Sequence, residues 1–148
     1  GGPRRFDFKI KTSRLVFLSD YAHHPAEIAQ SVKSVRELYK DKKITAIFQP
    51  HLYTRTRDFY KDFADSLSLL DEVILTEIYP AREQPIPGVS SRLIYDNLRP
   101  GIEKCICPKE DILNLLSKKS VEVLIVLGAG DLDNYVPSIT QLLEQQSK

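Results

Sequence analysis

Four apolar, β-branched runs recur along the chain with helix-period segments between them. Residues 14–18, 44–48, 73–78 and 121–127 read as buried strands, and 6–10 and 104–107 as weaker strands suited to a sheet edge. Residues 25–39 read as an amphipathic helix, with Ile28, Val32, Val35 and Leu38 on one face and Lys33, Arg36 and Lys40 elsewhere. Pro25 suits a first helical turn, and Glu27 complements the helix dipole there. Residues 57–70 repeat the pattern through Phe59, Phe63, Leu67 and Leu70, and helical segments at 91–98, 109–116 and 132–144 complete the alternation. Strand–helix alternation of this kind predicts an α/β fold: a three-layer sandwich around a mostly parallel sheet, with right-handed crossovers. The proline-rich stretch 79–88 reads as a loop over the sheet end, because its prolines cannot donate to a ladder.

At 148 residues the chain has the length of one domain and can bury a substantial core. Lys and Arg total 21 against 20 Asp and Glu, so no net field favours nucleic acid or an acidic membrane, and any anion recognition must be local. No apolar run is long enough to span a bilayer, and no signal-peptide pattern is present. Cys105 and Cys107, with one residue between them, are a poor disulfide pair and read as inert core thiols, which fits a reducing cytoplasm. Gly1-Gly2-Pro3 and the absence of methionine suggest an excised piece, with residues 1–5 a linker or remnant and 6–148 the domain.

Two polar clusters follow successive strands. The first is Asp20-Tyr21-Ala22-His23-His24-Pro25 and the second Gln49-Pro50-His51-Leu52-Tyr53-Thr54-Arg55-Thr56-Arg57-Asp58. Strand ends of an open α/β sheet are where its ligand crevice lies. Arg55 and Arg57 at a helix start oppose the dipole, which an arriving anion would relieve; alternatively they face solvent or pair with Asp58 and Asp62. Thr54 or Thr56 is expected to cap that helix. His23 and His24, as neighbours on an extended segment, are expected to face opposite ways, one into the crevice and one packing or capping. Asp20 suits a sugar hydroxyl, or with His23, His24 and His51 a divalent metal, and a plain capped helix with a satisfied histidine accounts for the same residues. Gly128-Ala129-Gly130-Asp131 reads as a tight turn without the full dinucleotide fingerprint, since Asp133 stands at its third glycine position, and no P-loop occurs. These residues leave open a stand-alone nucleotide- or phosphate-binding module and a metal-dependent phosphoesterase.

The segments Ser19 to Glu27 and Phe48 to Asp58 closely resemble the carboxy-terminal domain of the Mur ligase family, in its alanine-adding branch. Tyr79-Pro80-Ala81-Arg82-Glu83-Gln84-Pro85-Ile86-Pro87-Gly88, the Gly128 to Asp131 turn and the Arg4-Arg5-Phe6 join are similar to it in the same order. The resemblance implies a Rossmann-like domain of a cytoplasmic, ATP-dependent ligase that adds L-alanine to UDP-N-acetylmuramate, a peptidoglycan precursor, through an acyl phosphate. It implies that Asp20 holds the ATP ribose while Tyr21, His23 and Arg55 surround the alanine and its carboxylate. The phosphate-gripping loop, the Mg2+ ligands and the muramyl-nucleotide site are expected in amino-terminal and central domains that this chain lacks. No catalytic residue and no tightly bound metal is therefore expected here. Two positions depart from the family pattern: Leu52 stands where relatives often carry an arginine for the alanine carboxylate, and Ser19 replaces an acid common beside Asp20.

Overall fold

The computed structural model describes residues 6–147. The expected linker at 1–5, with Arg4 and Arg5 of the resemblance, lies outside the described residues. Six strands form one sheet in the order β1-β2-β6-β3-β4-β5. They are β1 (Asp7–Lys11), β2 (Val16–Asp20), β3 (Ile44–Phe48), β4 (Glu72–Leu75), β5 (Glu103–Ile106) and β6 (Val123–Leu127). Every neighbouring pair is parallel except β1 with β2. The helices are α1 (Pro25–Leu38), α2 (Tyr53–Leu67), α3 (Arg92–Asn97), α4 (Ile112–Ser117) and α5 (Val136–Gln146), with 3-10 turns at Lys109–Asp111 and Asp131–Tyr135. The expected α/β class and mostly parallel sheet are what the chain forms.

Strands β2, β3, β4 and β6 are buried along their whole length, as parallel strands covered on both faces must be. Successive residues on them divide between two apolar clusters, which is the period of a pleated strand. Leu18, Phe48, Leu75 and Ile125 pack with Ile28 and Val32 of α1, Phe63 and Leu67 of α2 and Ile94 of α3. Their neighbours Phe17, Ile47, Ile74 and Leu124 pack with Ile112 and Leu116 of α4 and Ile139 and Leu143 of α5. Three helices therefore cover one face and two the other. Cys105 and Cys107 belong to this second core, and burial pushes the Cys107 thiol up to about 11, so the inert reading of the pair holds.

Several boundaries differ from the sequence expectation, for local reasons. Strand β2 starts two residues late because Thr12 and Leu15 close a turn, and it runs on to Asp20. Helix α5 starts at Val136 rather than 132, since Pro137, which lacks an N–H, sits in its first turn after the 3-10 segment. Leu38 and Phe59, expected on the apolar stripes, are exposed. Ser31 and Thr56 take buried stripe positions instead, because each hydroxyl finds an internal acceptor, Asp20 and the Leu52 carbonyl respectively.

The carboxyl ends of β2, β6 and β3 are level: Leu127 pairs with Asp20 on one side and Phe48 on the other. Beyond the tips, Gln49 is buried and spans the gap to the β6 turn. Its amide nitrogen donates to Asp131 Oδ1 at 2.8 Å, and its oxygen accepts from the Leu132 N–H at 3.0 Å. Lys109 reaches the other Asp131 oxygen at 2.6 Å. Gly130 is small because a Cβ there would lie 2.5 Å from Gln49 Oε1 and 2.7 Å from Tyr79 Cγ. Gly130→Ala is expected to destabilise the domain by about 1–3 kcal/mol through forced overpacking. A urea midpoint equal to that of the parent protein would show that this tip yields freely.

Candidate functional site

The passage from β2 into α1 is held by two carboxylates. Asp20 at the strand tip accepts from the Ala22 N–H at 3.0 Å through Oδ1 and from the Ser31 hydroxyl through Oδ2. Glu27 reaches back from the first turn of α1, and its Oε1 accepts from the N–H groups of His23 at 3.2 Å and His24 at 3.1 Å. That is the glutamate arm of a capping box, with Pro25 as the first helical residue. Asp20 is only 4% exposed and both its oxygens serve the fold. Its observed role is to fix this turn, so a ribose hydroxyl would have to use the remaining lone pairs.

Tyr21 projects from the turn at 57% exposure, and its hydroxyl donates to Asp133 Oδ2 at 2.8 Å. That hydrogen bond to an anion holds the phenol above its usual range. His23 Nδ1 lies 2.9 Å from the Tyr21 carbonyl; a carbonyl only accepts, so Nδ1 carries the proton. The His23 and His24 rings are not on opposite sides, contrary to expectation, but 4.6 Å apart. Strand β2 ends at Asp20, so strand alternation does not extend to them.

The second passage, from β3 into α2, begins four residues earlier than the sequence pattern implies, at Tyr53. Its N-cap, Leu52, holds φ +75°, a conformation that L residues rarely adopt. A reciprocal clasp maintains it: Leu52 N–H donates to the Tyr79 carbonyl and Tyr79 N–H to the Pro50 carbonyl, both at 2.8 Å. Neither threonine caps the helix. Thr56 bonds back to the Leu52 carbonyl, through its N–H at 3.2 Å and its hydroxyl at 2.9 Å. The anion at the helix start comes from the 79–88 loop. The Glu83 carboxylate accepts from the Thr54 N–H at 3.1 Å and from the Thr54 hydroxyl. The first turn of α2 has no acid of its own, so Glu83 supplies what the dipole asks for.

The two arginines of that turn separate. Arg57 is exposed and pairs with Asp58 at 2.8 Å, the bland reading. Arg55 is half-buried, forms no ion pair among the described residues, and has one terminal nitrogen, Nη1, buried without a hydrogen-bond partner. His51 Nδ1 is in the same condition. The His51 ring lies 5.5 Å from that of His23 and 5.4 Å from that of Tyr79. Burial, then the neighbouring His23 and Arg55, lowers its pKa and keeps the imidazole neutral near pH 7. The structure thus brings His23, His51 and Tyr79 to one edge, with Arg55 in the first turn of α2. Sequence reasoning missed Glu83 and Asp133, whose contacts cross 29 and 112 residues. The advance signal was a pair of arginines at a helix start, a place in need of an anion.

The four-residue metal set that the sequence left open as an alternative does not assemble. Among the described residues, the donor atoms that come within 4.8 Å of one another belong to His23, His24 and Glu27, without Asp20 or His51. Two imidazoles and a carboxylate already serving backbone N–H groups do not suit Mg2+, which demands oxygen ligands in octahedral order. No described helix is long and apolar enough to cross a membrane.

Glu83 gives this site a pH signature. The Thr54 hydroxyl, then the helix-start N–H groups, hold its carboxyl below the ordinary value of 4.5. A lowered folded pKa means the contribution is complete above the unfolded value and is lost as pH falls through the folded one. Glu83→Gln is therefore expected to lower the melting temperature at pH 7, with the gap between the two proteins closing below about pH 4. A gap of equal size at pH 7 and pH 3 would exclude the charge as its source.

Comparison with known proteins bears on this geometry. A UDP-N-acetylmuramate–L-alanine ligase of Phocaeicola vulgatus is 75% identical over 146 residues, 99% of this chain and 32% of that protein. The ligase of the same name from Parabacteroides distasonis is 56% identical, over 99% of this chain and 31% of its own length. The chain thus spans about a third of the curated relatives it matches. The crystal structure of UDP-N-acetylmuramate-alanine ligase from Thermotoga maritima aligns with 98% of this chain and 30% of that one, at TM-score 0.74 and 29% identity. Residues 4–132 match the family described as Mur ligase, glutamate ligase domain, and the chain belongs to that family.

Proposed function

We propose that this chain is the carboxy-terminal domain of an ATP-dependent ligase that adds L-alanine to UDP-N-acetylmuramate in peptidoglycan precursor synthesis. In that reaction a muramyl carboxylate is phosphorylated, the alanine amine attacks the acyl phosphate, and phosphate leaves. The domain's part is to present the amino acid. The observation that carries the reading is Arg55: a cation in the first turn of α2, beyond the carboxyl end of β3, with a buried nitrogen and no acid to satisfy it among the described residues. A small carboxylate fits that need, and the 75% identical ligase names alanine as the acid that would bring it. Tyr21 and His23, beyond the tip of β2 on the other side of β6, would line the amino acid, with Asp20 and Glu27 holding their turn.

The nucleotide is handled mostly elsewhere. Among the described residues there is no phosphate-gripping loop, and the Asp20 carboxylate is largely committed. The reading assigns the phosphate cradle, the Mg2+ and the muramyl-nucleotide site to the amino-terminal and central domains, with this chain adding part of the ATP site on closure. It also puts the reaction in the cytoplasm, in keeping with the two free thiols. A stand-alone binding module would instead gain no activity from those domains, so mixing them with this chain separates the two readings.

Alone, the 148 residues are expected to fold yet neither hydrolyse ATP nor ligate alanine; measurable turnover by the purified chain would overturn this division of labour. In the full-length protein, Arg55→Ala is expected to raise the KM for alanine about 10- to 100-fold, the loss of one charge-assisted contact, with the KM for ATP nearly unchanged. Steady-state kinetics with each substrate varied in turn decides it, and an unaltered alanine KM removes the carboxylate contact.

A further inference from the structure

We infer that His51 is a second donor to the amino-acid carboxylate, gripping it through Nδ1–H beside Arg55. This deepens the reading above and rests on it. The His51 imidazole is absent from the residues that the family resemblance singles out, yet the geometry points to it. Buried polar atoms in folded proteins nearly always have partners, and those that lack one mark places where a ligand completes the bonding. Here the short passage from β3 into α2 contains two such atoms, His51 Nδ1 and Arg55 Nη1. They are four residues apart, on either side of the strained Leu52.

The neighbouring groups narrow what the ligand can be. Glu83 already occupies the helix start and takes the Thr54 N–H and hydroxyl, so those donors are spent on an internal anion. An arriving anion must be held by side chains, and the two orphaned nitrogens are those available. The imidazole is held in place from three sides. Its backbone forms a parallel bridge with Tyr79, its ring lies 5.4 Å from the Tyr79 ring, and His23 lies 5.5 Å away. A neutral imidazole has one N–H, and with that proton on Nδ1 it donates to an oxygen without adding a charge that would repel Arg55. Burial first, and then the neighbouring His23 ring and Arg55 guanidinium, favour that neutral form. A carboxylate has two oxygens and suits this pair: one meets the guanidinium, the other the imidazole.

Two replacements of His51 in the full-length protein discriminate by atom. Asparagine places an amide N–H close to the position of Nδ1, whereas glutamine places it near Nε2. His51→Gln is expected to raise the alanine KM at least about tenfold, His51→Asn to stay within about threefold of the parent, and neither to move the KM for ATP. Equal alanine KM values for the two variants, or a parallel rise in the ATP KM, overturn the assignment. Arg55→Ala measured alongside separates the levels. If it moves the alanine KM while His51→Gln does not, only the role of His51 fails. If neither moves it, the amino-acid site itself is wrong.

Discussion

Strand β6 lies between β2 and β3 and pairs with both in one register, so that Asp20, Leu127 and Phe48 end at the same height. A shift of one residue on either side would turn every apolar side chain of that strand to the wrong layer, because the pleat has period two. The two cores, one under α1 to α3 and the other under α4 and α5, enforce that register from both faces. Three chain segments therefore leave the sheet side by side. Two turn into helices of the same layer and the third, through the Gly128 to Asp131 turn, into the opposite one. The crevice is a consequence of this divergence, and the positions of Tyr21, His23, His51 and Arg55 follow from it.

Charge at the crevice is balanced group by group. The start of α2 has positive dipole, two arginines and no acid of its own. Asp58 answers Arg57, Glu83 answers the helix start, and Arg55 is left over. The near-neutral total charge of the chain conceals this, because the imbalance at the start of α2 is local. The other acids of the edge are similarly committed: Asp133 to the Tyr21 hydroxyl, Asp131 to Gln49 and Lys109. A ligand bearing one small negative group is what such an edge is short of.

Much of the fold could be read from the chain because burial on both faces gives long apolar runs, and the four central strands are of that kind. The strand-end clusters were legible for the same reason, since a polar block ending an apolar run marks the sheet's edge. The finer geometry was not. Helix α2 begins at Tyr53 because a positive-φ leucine starts it, and no local propensity announces that choice. His23 and His24 come together because Asp20 and Glu27 bend the chain between them, a contact pattern that strand alternation misdescribes. Glu83 looked like one more polar residue in a proline-rich loop, since its partner is 29 positions away. The family resemblance pointed to Tyr21, His23 and Arg55 as expected contacts of the amino acid, but not to Glu27 and Glu83, which hold the two turns still.

Leu52 shows how the remaining features belong together. A side chain at φ +75° costs on the order of 1–3 kcal/mol, and Ala81, in the loop that clasps it, has positive φ as well. Two buried nitrogens without partners add a further cost of similar order. These four lie in the facing segments 51–55 and 79–83, a third unpartnered buried atom, Thr76 Oγ1, follows the end of β4, and the described strands and helices of the two cores have no positive-φ residue outside glycine. Local rules are broken mainly beyond the carboxyl ends of the strands and kept where the layers pack, a distribution in which the fold's surplus stability maintains turns that the bare chain would not choose. The Leu52–Tyr79 clasp is the means, since it joins the β3–α2 passage to the loop after β4 through two backbone hydrogen bonds that do not depend on the identity of a non-proline side chain. Leu52, where the family resemblance leads one to expect arginine, can therefore still hold the backbone turn that presents Arg55.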